Sequence, residues 1–345
     1  MEEAGAMAHA IEHAASVRSR TSPNPWVGAV VLDASGHVVG VGATEPAGGA
    51  HAEVFALTAA GAAAVGATLV VTLEPCSHHG RTPPCVDAIV AAGIARVVVG
   101  VDDPDRRVAG RGVAALQAAG VAVEVGLLGD LVTAQLEPYL HHRRTGRPYV
   151  VCKLATTLDG GIAAPDGSSQ WITGQEARTD VHRLRAESDA IIVGAGTIRA
   201  DDPSLTVRHV VGTDPLRVVL GRAPADAKVH PCLEWTGDIG ALLDELGRRD
   251  IVQVMIEGGS AVVRSFHDVD LIDRYVIYIA PALLAGGDMV PLLAGPTAPS
   301  IDATWRGRFV DVRRLGDDLR LDLIPHTRSA AIATDHPSND HATEV

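Results

Sequence analysis

One set of residues restricts this chain more than any other: His51-Ala52-Glu53, then Pro75-Cys76, then Cys85. One imidazole and two thiolates make a three-ligand zinc set with the fourth tetrahedral position left for water, the arrangement of catalytic rather than structural zinc. Such a zinc makes hydroxide available near neutral pH. Glu53 follows the histidine by two residues. In the first turn of a helix it faces the open position without ligating, where it can take a proton from water and pass it on. The chain must therefore bring a helix start near residue 51 against a loop at 76 and a second segment at 85. The plainer reading makes Cys76 and Cys85 small buried hydrophobes and His51 a helix cap. A purely structural zinc fits poorly, because three ligands leave a vacancy.

The pattern H-x-E…P-C-x-x-C is the signature of zinc nucleobase deaminases. Here eight residues, not two, separate the cysteines: Ser77-His78-His79-Gly80-Arg81-Thr82-Pro83-Pro84. The insertion must loop out and return Cys85 to the metal, and it sets two histidines and an arginine beside the site. His78 is favoured for substrate contact, with an extra ligand or a solvated loop residue as the other readings.

Around this site strands alternate with helices. Residues 5–17 have helical spacing, and 26–32 with 38–41 flank the turn Asp33-Ala34-Ser35-Gly36 as a hairpin. Helices are expected at 51–64, 84–92 and 112–119, and strands at 68–72, 96–101 and 121–125. The polar stretch 141–148 breaks the pattern and marks a domain boundary. A second series follows, with strands at 149–155, 190–193, 216–220, 252–256 and 274–280 and helices at 175–187, 239–246 and 260–266. This alternation predicts layered α/β sheets. The 345 residues suit two domains, 1–145 and 146–327, with 328–345 as a disordered tail.

The formal net charge of −13 argues against a nucleic-acid partner, since phosphate backbones are bound by basic surfaces. An anionic small substrate would be met by local arginines or helix N-termini. The N-terminus is acidic and helical, unlike a signal peptide. No apolar run approaches the ~20 residues of a membrane span. The expectation is a cytoplasmic protein with no membrane partner, whose four cysteines (Cys76, Cys85, Cys152 and Cys232) are thiols or metal ligands.

At these residues the chain closely resembles the bifunctional riboflavin-biosynthesis deaminase/reductase family. The segments that carry the resemblance are Thr21-Ser22-Pro23-Asn24-Pro25-Trp26-Val27-Gly28, His51-Ala52-Glu53-Val54, the run from Thr72 to Cys85 and Val108-Ala109-Gly110-Arg111-Gly112. The wide cysteine spacing is this family's own form, and the likeness runs from about residue 5 to 325. It implies a cytidine-deaminase-like three-layer domain that deaminates 2,5-diamino-6-(5-phosphoribosylamino)pyrimidin-4-one. A dihydrofolate-reductase-like α/β domain then reduces the ribose of the product to a ribityl chain with NADPH. It further implies that Asn24 bonds the ring, that His78, Arg81 and Asp103 line the substrate site with Arg81 at the phosphate or ribose end, and that the protein forms a homo-oligomer. Two positions depart from the pattern: Thr44, where the family often has His, and Asp105-Arg106, where it often has Asn-Pro. Both lie near the expected substrate edge.

The second half is less explicit by itself. Val193-Gly194-Ala195-Gly196-Thr197 and Ile256-Glu257-Gly258-Gly259-Ser260 each follow a strand and open a helix. Glycines there let backbone N–H groups approach a phosphate at a helix N-terminus, although such a turn is often only a turn. The six-position Rossmann fingerprint is not completed. Lys153, Asp159-Gly160, Ser169-Gln170-Trp171-Ile172-Thr173, Arg185, Ala200-Asp201-Asp202-Pro203 and Leu205-Thr206-Val207-Arg208 match the family's reductase domain. The resemblance implies NADPH across Gly194, Gly196, Thr197, Glu257, Gly258 and Gly259. It places the substrate phosphate on Arg185 and Arg208, Ser169 at the substrate, and Lys153, Thr173, Asp201 and Glu257 around the sugar. Either Lys153 or Asp201 would supply the proton. The 220–251 segment is short for the family, so an outer strand is expected to be reduced or missing there. The competing readings are a deaminase with a degenerate second domain, a tRNA or nucleoside deaminase, and a non-enzymatic zinc-stabilised binding module.

Overall fold

The computed structural model describes residues 1–79 and 83–326. Arg81 and the expected tail 328–345 lie outside the described residues. The first half runs α1 (Glu3–Thr21), β1 (Gly28–Leu32), β2 (Val38–Ala43), α2 (Ala52–Ala60), β3 (Thr68–Leu73), α3 (Cys85–Ala91), β4 (Arg96–Val101), α4 (Arg111–Ala118), β5 (Ala122–Val125) and α5 (Gly129–Thr145). The strands form one sheet in the order β2-β1-β3-β4-β5. β1 is antiparallel to both neighbours, and β3, β4 and β5 run parallel. α1 packs with α5, while α2 packs with α3 and α3 with α4.

Glycines show which face each helix covers. A Cβ on Gly28 would lie 1.9 Å from the Ala10 carbonyl oxygen of α1. Cβ atoms on Gly40 and Gly42 would lie 2.1 and 2.2 Å from the Ala56 and Ala52 carbonyl oxygens of α2. Gly28 pairs with Ala43, the neighbour of Gly42, so these contacts fall on opposite faces of the pleat. The result is three layers, with the helix that carries Glu53 pressed backbone to backbone on the sheet.

The second half runs β6 (Tyr149–Thr157), β7 (Gly161–Ala163), α6 (Gln175–Ala186), β8 (Ala190–Gly194), α7 (Ala195–Asp201), β9 (Leu216–Leu220), β10 (Leu233–Trp235), α8 (Ile239–Arg248), β11 (Gln253–Ile256), α9 (Ser260–His267), β12 (Arg274–Ala280), β13 (Val290–Pro291), β14 (Gly307–Leu315) and β15 (Asp318–Pro325). Eight strands make a sheet in the order β10-β9-β8-β11-β6-β12-β15-β14. It is parallel from β10 to β12 and antiparallel at β15 and β14. The alternation of β6 divides two cores. Tyr149 and Val151 join Ala177, Val181 and Leu184 of α6, while Val150, Cys152 and Leu154 join Leu242, Leu243 and Leu246 of α8 and Phe266 of α9. The outer strand is reduced rather than missing: β10 has three residues and pairs in parallel with β9.

Two elements depart from the sequence expectation. The polar run at 141–145 is not a linker but the last turn of α5, which contains Pro138. Within it His142 is buried at the junction with the second half and His141 and Arg143 are half-buried, while Arg144 and Thr145 are exposed. His142 Nε2 lies 3.4 Å from the Gly247 carbonyl oxygen and Arg147 pairs with Asp244 at 2.6 Å. Across the same junction Arg18 of α1 donates to Gln253 at 2.8 Å. The hairpin β14–β15 was not expected because its alternation is inverted. Asp318, Arg320 and Asp322 are buried while Leu319 is exposed. Arg320 reaches Asp180 at 2.6 Å and Asp322 at 2.7 Å, Arg274 reaches Asp322 at 2.8 Å, and Tyr278 donates to Asp180 at 2.7 Å. Buried charges are tolerated when each is paired in this way.

Because Gly42 has no room for a methyl group against α2, Gly42→Ala is expected to destabilise the chain by about 1–3 kcal/mol, the usual cost of overpacking. Displacement of the α2 start should also lower zinc content at limiting metal. Urea unfolding together with metal analysis checks both.

Candidate active sites

β3 ends at Leu73, and the chain then passes through Glu74 and Pro75 to Cys76; Cys85 opens α3. His51 occupies the N-cap position of α2, but its side chain makes no cap hydrogen bond. The imidazole turns to the sulfurs instead, with Nδ1 3.2 Å from Cys85 Sγ and 3.6 Å from Cys76 Sγ. The three donor atoms lie within 4.8 Å of one another. Bonds of about 2.0–2.3 Å to a tetrahedral zinc would set donor–donor edges of roughly 3.5–3.8 Å, close to what is found. The donor set therefore fits zinc, and among the described residues it is the one group of three or more that could hold a metal. The Cys85 backbone N–H donates to Cys76 Sγ at 3.3 Å. Hydrogen bonds toward that sulfur, above all from the Cys85 thiol, pull the Cys76 thiol well below its ordinary value and push that of Cys85 up.

Glu53 is 4% exposed. Burial pushes its carboxyl above the usual carboxylate range, with His51 opposing. A cavity of about 310 Å³ brings together Asn24, His51, Glu53, Cys76, His78 and Asp103. Its wall thus includes Asn24, Glu53, His78 and Asp103 of the first-half residues expected to catalyse or contact substrate, Arg81 lying outside the described residues; Cys85 is fully buried. His78 Nδ1 is buried without a hydrogen-bond partner among the described residues. Asp103 accepts from the Tyr139 hydroxyl at 3.1 Å and from the Asp105 backbone N–H at 2.8 Å. Burial raises its carboxyl to about 6 against those donors.

The structure adds Tyr139, Arg143, Arg107 and Asp250 to the cavity wall. The first two lie on α5, which the sequence did not reveal, and Asp250 comes from the second half. The departures from the family pattern are accommodated within the chain. Thr44 is buried and its hydroxyl accepts from the Val27 backbone N–H at 3.0 Å. Asp105 pairs with Arg107 at 2.6 Å, which holds its carboxyl at about 2 against burial.

In the second half β8 and β11 are adjacent and parallel, so their two glycine loops lie side by side. Gly194 and Gly258 are there for close packing: a Cβ on either would come within 2.7–2.8 Å of the Val262 side chain. Gly196 and Gly259 differ, since a Cβ on them would meet nothing within 4 Å. Ser260 Oγ, at the start of α9, is buried with no hydrogen-bond partner among the described residues. An open cradle beside an unpartnered buried hydroxyl fits a cofactor phosphate. Thr197 lies in α7 beside Gly196.

Glu257 follows β11 and is the hub of a charged cluster. Arg185 Nε and Nη2 donate to it at 2.9 Å each, and Lys153 Nζ lies at 3.4 Å. Burial would push this carboxyl up, but Arg185 and Lys153 outweigh it and hold it at about 2. Arg185 also donates to the Thr206 carbonyl oxygen at 3.0 Å, so three of its donors point inward. Arg208 is exposed and donates to Ser204 Oγ at 2.8 Å and Thr206 Oγ1 at 3.0 Å. Asp201 ends α7 exposed, and its neighbour Asp202 pairs with Lys228 at 3.1 Å. Thr173 is buried, and its carbonyl oxygen accepts from Arg178 at 2.6 Å; Ser169 is half-buried in the same loop.

Comparison with known proteins agrees with this division. Residues 1–101 match the cytidine and deoxycytidylate deaminase zinc-binding region, and residues 148–321 match the RibD C-terminal domain. Riboflavin biosynthesis protein RibD of Mycobacterium tuberculosis is 45% identical over 331 residues, covering 92% of this chain and 96% of that protein. The Escherichia coli protein of the same name is 37% identical over 367 residues, covering 94% and 100%. Among solved structures, Acinetobacter baumannii RibD superposes with a TM-score of 0.88 at 39% identity, covering 94% of this chain and 98% of that one. A Thermotoga maritima diaminohydroxyphosphoribosylaminopyrimidine deaminase/5-amino-6-(5-phosphoribosylamino)uracil reductase gives 0.83 at 34%, with the same coverage. Identity of this extent, with both domains matched in order along one chain, means that the chain belongs to the RibD family of riboflavin biosynthesis proteins, with a zinc-binding deaminase domain followed by a reductase domain.

Proposed function

We propose that residues 1–145 hydrolyse the exocyclic amine of 2,5-diamino-6-(5-phosphoribosylamino)pyrimidin-4-one, and that residues 146–327 reduce the ribose of the product to a ribityl chain with NADPH. The observation that carries the reading is the convergence of His51 Nδ1, two cysteine sulfurs and the buried carboxyl of Glu53 at one cavity. Zinc held by His51, Cys76 and Cys85 supplies the Lewis acidity that activates water. Glu53 moves the proton: burial raises its pKa, so it can accept from water and release to the ring and departing amine. Asn24 and Asp103 hold the ring edge, and His78 has a free nitrogen for a substrate donor or acceptor. Arg107 and Arg143 suit the phosphate end, as the sequence expected of Arg81.

NADPH supplies the hydride in the second half. Lys153 is the better of the two proton donors, since it is half-buried beside Glu257 while Asp201 is exposed. Arg208 is available to a phosphate. Arg185 holds Glu257 in place through Nε and Nη2 and is itself fixed by Nη1 on the Thr206 carbonyl oxygen. A built cluster of this kind disfavours a degenerate second domain. Ser169 and Thr173 complete the substrate side of this reading, and Gly194, Gly196, Thr197, Gly258 and Gly259 the cofactor side.

Self-association belongs to the same reading. On one face of the edge sheet Phe309, Val312 and Leu319 are 55%, 57% and 42% exposed, beside half-buried Ile277, Ile279, Leu321 and Leu323. A contiguous apolar face of this kind marks a protein contact, and a second copy meets it with the same surface. Among the described residues no helix is long and apolar enough to cross a membrane.

Glu53→Gln should retain zinc and lose ammonia release by about 10²–10⁴-fold, while NADPH oxidation with deaminated substrate continues; Lys153→Met should do the reverse. Equal ammonia release by wild type and Glu53→Gln would refute the hydrolytic role. Asp103, with its carboxyl at about 6, is neutral below that pH and anionic above it. Deaminase kcat/KM should therefore fall as pH drops through 6, and Asp103→Asn should flatten that limb. Light scattering should find an oligomer that Val312→Lys with Leu319→Lys dissociates; a monomeric wild type would end the proposal of self-association.

A further inference from the structure

One wall of the deaminase cavity is the segment after β4, which contributes Asp103, Asp105, Arg107 and Val108. This segment has little regular structure between Val101 and the start of α4 at Arg111, yet Asp103 and Val108 are buried. What holds it is a carboxylate to which the sequence motifs assigned no role. Glu74 stands two residues before Cys76 and is 4% exposed. Its Oε1 accepts from the Gly112 and Val113 backbone N–H groups at 2.8 and 3.2 Å. Its Oε2 accepts from the Gly110 and Asp103 backbone N–H groups at 3.0 and 3.3 Å. Both oxygens are thus doubly used, and both ends of the loop hang on one side chain. The approach is close enough that a Cβ on Gly112 would lie 2.0 Å from the Pro75 carbonyl oxygen.

We propose that Glu74 is a positioning residue for deamination, tying the substrate-facing loop 103–113 to the peptide that delivers Cys76 and so setting the gap between the metal ligands and the ring contact at Asp103. This rests on the deaminase reading of the cavity. A carboxylate is required because four N–H donors need two acceptor oxygens with two lone-pair sites each. Glutamine of the same shape turns an NH₂ toward two of those donors, leaving them buried and unpaired. The loop then loses half its anchors, while the zinc donors, which Glu74 does not touch, stay in place.

The test uses the full-length zinc-loaded enzyme. Glu74→Gln should keep one zinc per chain and unchanged NADPH oxidation with deaminated substrate, while deaminase KM rises about tenfold or more and kcat changes far less. Glu74→Asp keeps both oxygens but withdraws them by one methylene, and should give a smaller KM increase in the same direction. Because Glu74 acts through the loop that carries Asp103, adding Asp103→Asn to Glu74→Gln should cost much less than the product of the single effects. An unchanged deaminase KM in Glu74→Gln, fully multiplicative effects, or a parallel fall of zinc content, reductase activity and melting temperature would overturn the positioning role. Failure of the wild type to release ammonia would instead refute the deaminase reading itself.

Discussion

Parallel pairing of neighbouring strands is the constraint on which both sites rest. In the first half the ladder between β3 and β4 closes with the Glu74 N–H on the Val101 carbonyl oxygen at 3.0 Å. In the second half the ladder between β11 and β8 closes with the Glu257 N–H on the Ile192 carbonyl oxygen, also at 3.0 Å. Each time the next residues leave the sheet and carry the site. Carboxyl ends of parallel strands are where open α/β sheets bind ligands, because adjacent loops part there and expose backbone N–H groups. The two halves differ in sheet size and strand order but use the same device twice.

A second regularity concerns buried charge. Glu74 is satisfied by four backbone N–H groups, Glu257 by Arg185 and Lys153, and Asp322 by Arg320 and Arg274. Burying an ionised group is costly unless such partners are supplied. Glu53 and Asp103 behave otherwise: burial dominates and raises both carboxyls, against His51 for the first and against the Asp105 N–H and Tyr139 for the second. An acid kept off balance in a cavity is a marker of proton transfer rather than of structure. Glu74, twenty-one residues from Glu53 in sequence and on the same cavity wall, contrasts with it in having four backbone N–H donors on its carboxylate.

The elements the sequence revealed were those whose buried residues are apolar. β4, β9 and β12 occupy the predicted residues because continuous or alternating apolar runs left no other choice. α5 escaped notice because Pro138 and a polar last turn interrupt its apolar series of Val132, Leu136 and Leu140, and β14–β15 because Asp318, Arg320 and Asp322 are among the residues buried there. His142 and Arg143 of α5 are used at a domain junction and a cavity, and Arg320 and Asp322 of β15 in an internal ion network. Hydrophobic periodicity cannot report a face whose burial is made tolerable by charge pairing. The same blindness hid Tyr139, Arg143 and Asp250 at the deaminase cavity, which no local motif marks.

Local chemistry alone determined the zinc ligands and Glu53, because metal donors of fixed type and a carboxylate at a fixed offset leave their trace in a few contiguous residues. It also determined the layered α/β class, through the rhythm of strands and helices. Tertiary structure alone decided that Arg185 faces Glu257 while Arg208 stays exposed, why Gly194 and Gly258 pack on Val262 while Gly196 and Gly259 stand open, and how Glu74 secures a loop some thirty to forty residues further on. Those are relations between side chains distant in sequence, and their energies depend on distance and burial, which only the folded chain sets.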